Sequence, residues 1–169
     1  GGGTSTGRKP GFFHMGGQSG PIGFPEQLDT PYTYETLAPK GLAVGSGAIV
    51  VLDDSVCIVE YIQKVFEFFV HESCGKCTPC RLGTTRILEL LTDFVEGRAK
   101  DGDVERLEYM ARQVSQLSAC GLGQSVNVAL MSALRHRRGD FEAHINGGAC
   151  PAGACACHEN GRNKACLTI

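Results

Sequence analysis

Nine of the 169 residues are cysteine, and three of them fall in one short run, Cys74-Gly75-Lys76-Cys77-Thr78-Pro79-Cys80. Two-residue spacing lets a single loop aim three thiolates at a common centre, as three irons of an iron–sulfur cube require. A tetrahedral zinc site more often draws on two separated pairs and does not need three ligands from one tight loop. Cys120 is the candidate fourth ligand. The surroundings suit an anionic cluster. Pro79 starts a helix whose N-terminal dipole points at the loop, Lys76 and Arg81 add positive charge, and Gly75, Gly121 and Gly123 let backbone N–H groups approach sulfur. Each favours the reduced, more negative cluster and raises its potential. Ordinary solvated charge remains the competing reading of Lys76 and Arg81. Cys57 reads as a buried apolar residue.

The odd number of cysteines rules out complete pairing into internal disulfides. The start Gly1-Gly2-Gly3-Thr4 has neither a charged n-region nor an apolar h-region, so no signal peptide is expected. Without a starting Met, the chain reads as a fragment or a trimmed chain. In a reducing compartment, closely spaced cysteines are metal ligands more often than disulfides.

Four amphipathic helices must position these thiols. The first begins near Asp54 or Ser55 and carries Val59, Ile62, Phe66, Phe69 and Val70 on one face, with Glu60 and Lys64 as an i,i+4 pair opposite. The second starts at Thr78 and Pro79, buries Leu82, Leu88, Leu91, Phe94 and Val95, and closes at Gly97. Asp103 caps a third, with Val104, Leu107, Met110 or Ala111, and Val114 inward as far as Leu117. Gly121-Leu122-Gly123 breaks it, and a fourth runs from about Ser125 to Arg137 with Val126, Leu130, Ala133 and Leu134 inward. Short connections favour an up-down-up-down bundle. In that topology the loop holding Cys74, Cys77 and Cys80 shares one end with the loop that Cys120 begins.

Ahead of the helices, residues 1–47 are rich in glycine and proline turn signals, a small β-rich unit. Ala48-Ile49-Val50-Val51-Leu52 predicts a buried strand by its length and β-branching. The fold class is therefore α+β. A small strand segment at 1–53 precedes a four-helix domain at 54–140 and a Cys/His-rich tail at 141–169.

Composition narrows the function. At 42% apolar and 20% charged, the sequence is neither a disordered tail nor a membrane protein, and no apolar run reaches the ~20 residues a span needs. A net charge of -2 without a basic stripe argues against nucleic acid as a partner.

The segment from His71 to Gly83 resembles the cluster loop of the NADH-oxidising flavoprotein subunit of respiratory complex I. The same module occurs in NAD-linked hydrogenases and formate dehydrogenases. Ser118-Ala119-Cys120-Gly121-Leu122-Gly123 and Ser132-Ala133-Leu134-Arg135-His136 resemble later segments of that family, and Gly45 to Val51 resembles the strand before its helical domain. Gly17-Gln18-Ser19-Gly20 and Leu28-Asp29-Thr30-Pro31 resemble parts of its β-grasp domain. The likeness covers roughly residues 11 to 150. It implies a β-grasp-like segment before the bundle, and a [4Fe-4S] cluster held by Cys74, Cys77, Cys80 and Cys120 that takes electrons from FMN. It also implies three partners: an FMN- and NADH-binding portion, a thioredoxin-like [2Fe-2S] subunit and a larger iron–sulfur subunit. The implied location is cytoplasmic, or the matrix or cytoplasmic face of a membrane complex.

The likeness has limits. No glycine-rich nucleotide fingerprint follows a strand here; Gly1 to Gly7 fits neither G-x-G-x-x-G nor a P-loop. The FMN and NAD sites are thus expected outside this chain, which is not expected to be catalytic alone. Cys150-Pro151-Ala152-Gly153-Ala154-Cys155 resembles a junction in hydrogenase-type relatives, but the C-x2-C-x2-C spacing of a following ferredoxin is missing. Nor is there a C-x-x-C-H haem signature. Instead Cys150, Cys155, Cys157, His158 and Cys166 lie in a stretch with little apolar sequence, so a metal is expected to order it. Cys150, Cys155, His158 and Cys166 are the expected zinc ligands, since adjacent Cys157 and His158 are awkward partners. The rival function is a zinc-binding interaction module with no redox role.

Overall fold

The computed structural model describes residues 3–155. Strand β1 (Pro10–Met15) pairs antiparallel with β2 (Ile22–Gly23) on one side and β3 (Ile49–Asp53) on the other, in the order β2-β1-β3. The turn after β1 depends on Gly16 and Gly17, at φ 78° and 85°, where a side chain would be strained. A one-turn helix, α1 (Tyr34–Leu37), lies between β2 and β3; the Thr33 hydroxyl caps it by accepting the Thr36 N–H.

The β3 segment is a strand as expected, but it is not buried. Ile49, Val50 and Val51 are each about half exposed, because β3 lies at the edge of a small sheet and neither of its faces is fully covered. Only at its end, at Asp53, does the chain turn inward. There the carboxylate accepts the Ser55 hydroxyl at 2.5 Å, the Thr6 hydroxyl at 2.5 Å and the Ser55 N–H at 2.9 Å, which holds its pKa down at about 2. This turn consumes Ser55, so the first long helix starts later than its capping residues suggest.

Four long helices follow: α2 (Ile58–Glu72), α3 (Thr78–Val95), α4 (Asp103–Leu117) and α6 (Asn127–Glu142), with short α5 (Gly121–Gln124) between the last two. They form a ring in which α2 packs on α3, α3 on α4, α4 on α6, and α6 back on α2. Phe66, Phe69, Ile87, Leu91, Phe94, Leu107 and Leu130 are fully buried at its centre. Burial of each such side chain is worth about 1.5–3 kcal/mol. The α3–α4 contact is close because it runs through Gly83, where a Cβ would overlap Val114 Cγ2.

Three details depart from the helical period. Leu82 and Leu117 are more than half exposed, not inward. They sit at the ends of α3 and α4, to one side of the Gly83–Val114 seam. Lys64 pairs with Glu67 at 2.9 Å, while Glu60 is buried against the core. Finally, α6 continues past Arg137 to Glu142 through a kink at Arg137 (φ -134°). Ion pairs Arg137–Asp140 at 2.8 Å and Arg138–Glu142 at 3.0 Å support the added turn, and Arg138 also reaches Glu105 and Glu108 on α4.

Sheet and bundle share one core: Phe12, Ile22 and Phe24 pack with the helical residues. Two polar contacts fix the docking. The Ile22 N–H donates to Ser132 Oγ on α6 at 2.8 Å. His14, buried on β1, lies 3.0 Å from the Gly20 carbonyl through Nε2 and 2.9 Å from the Tyr61 hydroxyl through Nδ1. A carbonyl can only accept, so Nε2 carries the proton and Nδ1 accepts from Tyr61. Burial holds His14 below the usual histidine pKa, and the bond to Gly20 opposes this only in part.

The folded state therefore takes up the His14 proton at lower pH than the unfolded chain does. Its contribution to stability is complete above about pH 6.5 and is lost as the pH falls below that value. Thermal midpoints of the parent and His14→Gln, compared between pH 7.5 and 5, should converge toward acid. Parallel pH profiles would refute the assignment. Among the described residues, no helix is long and apolar enough to cross a membrane.

Candidate metal-cluster site

One end of the bundle collects the C-terminus of α2, the N-terminus of α3, the C-terminus of α4 and all of α5. Cys74 and Cys77 lie in the α2–α3 connection, Cys80 on the first turn of α3, and Cys120 immediately before α5. The two loops meet. The Cys77 sulfur accepts the Ala119 N–H from the second loop, then N–H groups of its own loop, and these bonds lower its pKa toward the thiolate. Cys80 Sγ is 3.4 Å from Ser73 Oγ, and its Cβ lies 3.3 Å from where a side chain on Gly123 would begin. All four cysteines are free thiols.

The local chain is shaped for this approach. Gly75 takes the left-handed conformation (φ 74°) that turns the chain between Cys74 and Cys77. Arg81 donates from Nη1 to the Gly75 carbonyl at 3.0 Å, so its charge is tied to the loop and is not simply solvated; Lys76 is exposed. A Cβ at Gly123 would overlap the Ser118 side chain. Ser118 is buried, and its hydroxyl bonds no oxygen or nitrogen but faces the Cys77 thiol. Cys74 and Cys120 are exposed and Cys77 is partly so, while Cys80 is buried. Free thiols on two apposed loops, with a glycine cradle and an unsatisfied hydroxyl aimed at sulfur, fit a bound iron–sulfur group.

Ser73 and the Ala119 N–H are contributors that spacing did not single out. Their signal was weak, because a backbone donor has no residue type and serine is common in loops.

The tail cysteines lie elsewhere. Cys150 and Cys155 are buried at the opposite end of the bundle, beside Cys57 and His144. Hydrogen bonds from Cys155 and Cys57 hold the Cys150 thiol far below the ordinary thiol range. His158 and Cys166, expected as the other two ligands, lie outside the described residues.

A small antiparallel sheet docked on a four-helix ring, with thiols grouped where its loops converge, defines a thiolate-bearing helical module of the iron–sulfur kind. The chain belongs to the family described as the NADH-ubiquinone oxidoreductase-F iron-sulfur binding region, which matches residues 60–144. It is 37% identical over 150 residues to the F subunit of the NADH-quinone oxidoreductase of Streptomyces coelicolor, covering 89% of this chain and 33% of that one. Against the NADP-reducing hydrogenase subunit HndC of Solidesulfovibrio fructosivorans it is 34% identical over 155 residues, covering 92% and 32%. Among solved structures, an NAD+-reducing [NiFe]-hydrogenase in the air-oxidized state matches with a TM-score of 0.73 at 31% identity, over 82% of this chain and 24% of that one. The chain spans about a third of the length of these curated relatives.

Proposed function

We propose that Cys74, Cys77, Cys80 and Cys120 hold one [4Fe-4S] cluster, and that this chain is the electron-exit portion of an NADH-oxidising complex. The observation that carries the reading is the Ala119 N–H on the Cys77 sulfur, since it ties the three-cysteine loop to the loop of Cys120. When bound, such a cluster supplies one-electron transfer between FMN and partner iron–sulfur subunits.

The chain's own residues set the terms. Backbone N–H groups, the α3 N-terminus and the Arg81-pinned loop stabilise added negative charge, so they favour the reduced state. Cys80 and Ser118 close the inner side against the core. The exposed Cys74 and Cys120 leave the outer edge open to a redox partner. The partners inferred are an FMN- and NADH-binding portion, a thioredoxin-like [2Fe-2S] subunit and a larger iron–sulfur subunit. The inferred setting is the cytoplasm, or the matrix or cytoplasmic face of a membrane complex. The 1–53, 54–140 and 141–169 divisions are proposed as divisions of role, because Phe12, Ile22 and Phe24 share the helical core.

The zinc-module alternative is not favoured, since three of the four thiols come from a single tight loop in an iron–sulfur family. Anaerobic reconstitution of the chain should give a brown protein with about four irons and four sulfides, bleached by dithionite. A colourless protein holding zinc on these four thiols would sink the reading.

A further inference from the structure

We infer that Cys57, His144, Cys150 and Cys155 form a second metal site, a closed tetrahedral zinc centre at the end of the bundle opposite Cys74. All four side chains are buried, and their ligand atoms lie within 4.8 Å of one another. His144 Nε2 is 3.0 Å from Cys155 Sγ and 3.5 Å from Cys57 Sγ. A tetrahedron with zinc–sulfur bonds near 2.3 Å and a zinc–nitrogen bond near 2.0 Å has edges of roughly 3.5–3.8 Å. The four atoms are thus already gathered at about the spacing one ion would give them.

The histidine is oriented as a ligand. Its Nδ1 lies 2.6 Å from the Asp140 carbonyl, which can only accept, so Nδ1 carries the proton. Nε2 then presents its lone pair to the thiols, the arrangement in which a ligating histidine is held by an outer hydrogen bond. A buried imidazole and three buried cysteines, none of them in a disulfide, would be a costly group to assemble without an ion to bind.

Four distant stretches meet to build the site. Cys57 is the N-cap of α2, His144 follows α6, and Cys150 and Cys155 lie on a turn in which the Gly153 N–H donates to the Cys150 carbonyl at 2.9 Å. The strap from Ala143 to Cys155 is tied on the way by the Asn146 N–H to the Ala99 carbonyl, at 2.8 Å.

Three thiolates and one imidazole, leaving no open position, suit structural zinc. The 15 residues of α2 separate this end from the Cys74 loop by about 22 Å. Zinc has no redox chemistry, so the centre is a clamp that fastens the strap to the β3–α2 junction, off the electron route. The inference does not depend on the cluster reading.

The full 169-residue chain should contain about one zinc per chain, measured separately from iron by mass spectrometry. Cys57→Ser/His144→Ala should lower zinc at least tenfold with iron unchanged, while His158→Ala and Cys166→Ser should keep it. His144→Cys, which restores a four-ligand set, should retain zinc and fold even if the double variant does not. Chelation of the parent should expose Cys57, Cys150 and Cys155 to a thiol reagent. The inference fails if the parent carries no zinc, if zinc survives in a folded double variant or is lost in His144→Cys, or if it disappears on replacing His158 or Cys166. A disulfide among Cys57, Cys150 and Cys155, or iron lost specifically with Cys57, would also overturn it.

Discussion

Cys120→Ala is expected to abolish the four-iron EPR signal of the dithionite-reduced chain, leaving either no cluster or a three-iron form. The reason is geometric. Among the described residues, the remaining free cysteines, Cys57, Cys150 and Cys155, are gathered at the far end of α2 and cannot reach the gap. Ser118 lies close, but a neutral hydroxyl is a poor substitute for a thiolate on iron. Iron content should fall to three quarters or less of the parent value, while zinc stays unchanged. An intact four-iron signal in Cys120→Ala would remove Cys120 from the ligand set.

The second large effect is an expected absence of turnover. NADH delivers two electrons as a hydride, and accepting a hydride is the work of a flavin, not of a one-electron cluster. The chain aligns with about a third of the length of its flavoprotein-type relatives, and its chemistry-bearing residues are thiols and histidines. Purified and loaded with iron, it should reduce ferricyanide with dithionite as donor but not with NADH. NADH:ferricyanide activity above background, in a preparation free of flavoprotein, would place a hydride-accepting site in this chain.

The cysteine loop and its helices were legible because both signals are local. Ligand spacing is read within seven residues, and Val59, Ile62, Phe66 and Phe69 repeat at helical intervals whatever they pack against. Coverage was less legible. β-branching marks Ile49–Leu52 as a strand but says nothing about what lies over its faces, and here little does. Periodicity likewise assigned Leu82 and Leu117 to a face without showing where the neighbouring helix ends.

The zinc ligands were half legible. Cys150 and Cys155 stood out by density, whereas Cys57, alone in an apolar stretch, looked like packing. The usable signal was His144-x5-Cys150-x4-Cys155, a histidine leading two cysteines at ligand-like spacing. Only the return of the strap to the start of α2 brings in Cys57, and no local pattern encodes that return.

The open edge of β3 has a consequence for the molecule as a colloid. Ile49-Val50-Val51-Leu52 is uncharged and β-branched, with three side chains half in water, and its outer backbone groups pair with no other described strand. Natural sheets blunt such edges with lysine, proline or a bulge, and the irregularity here falls near Pro10 and Phe12 on β1, away from that edge. Two copies meeting along β3 could continue each other's sheet, and the flat, uncharged register would favour growth over closure. The concentration at which the isolated chain stays monodisperse is therefore set by four residues remote from any metal, and a single lysine at Val50 would raise it.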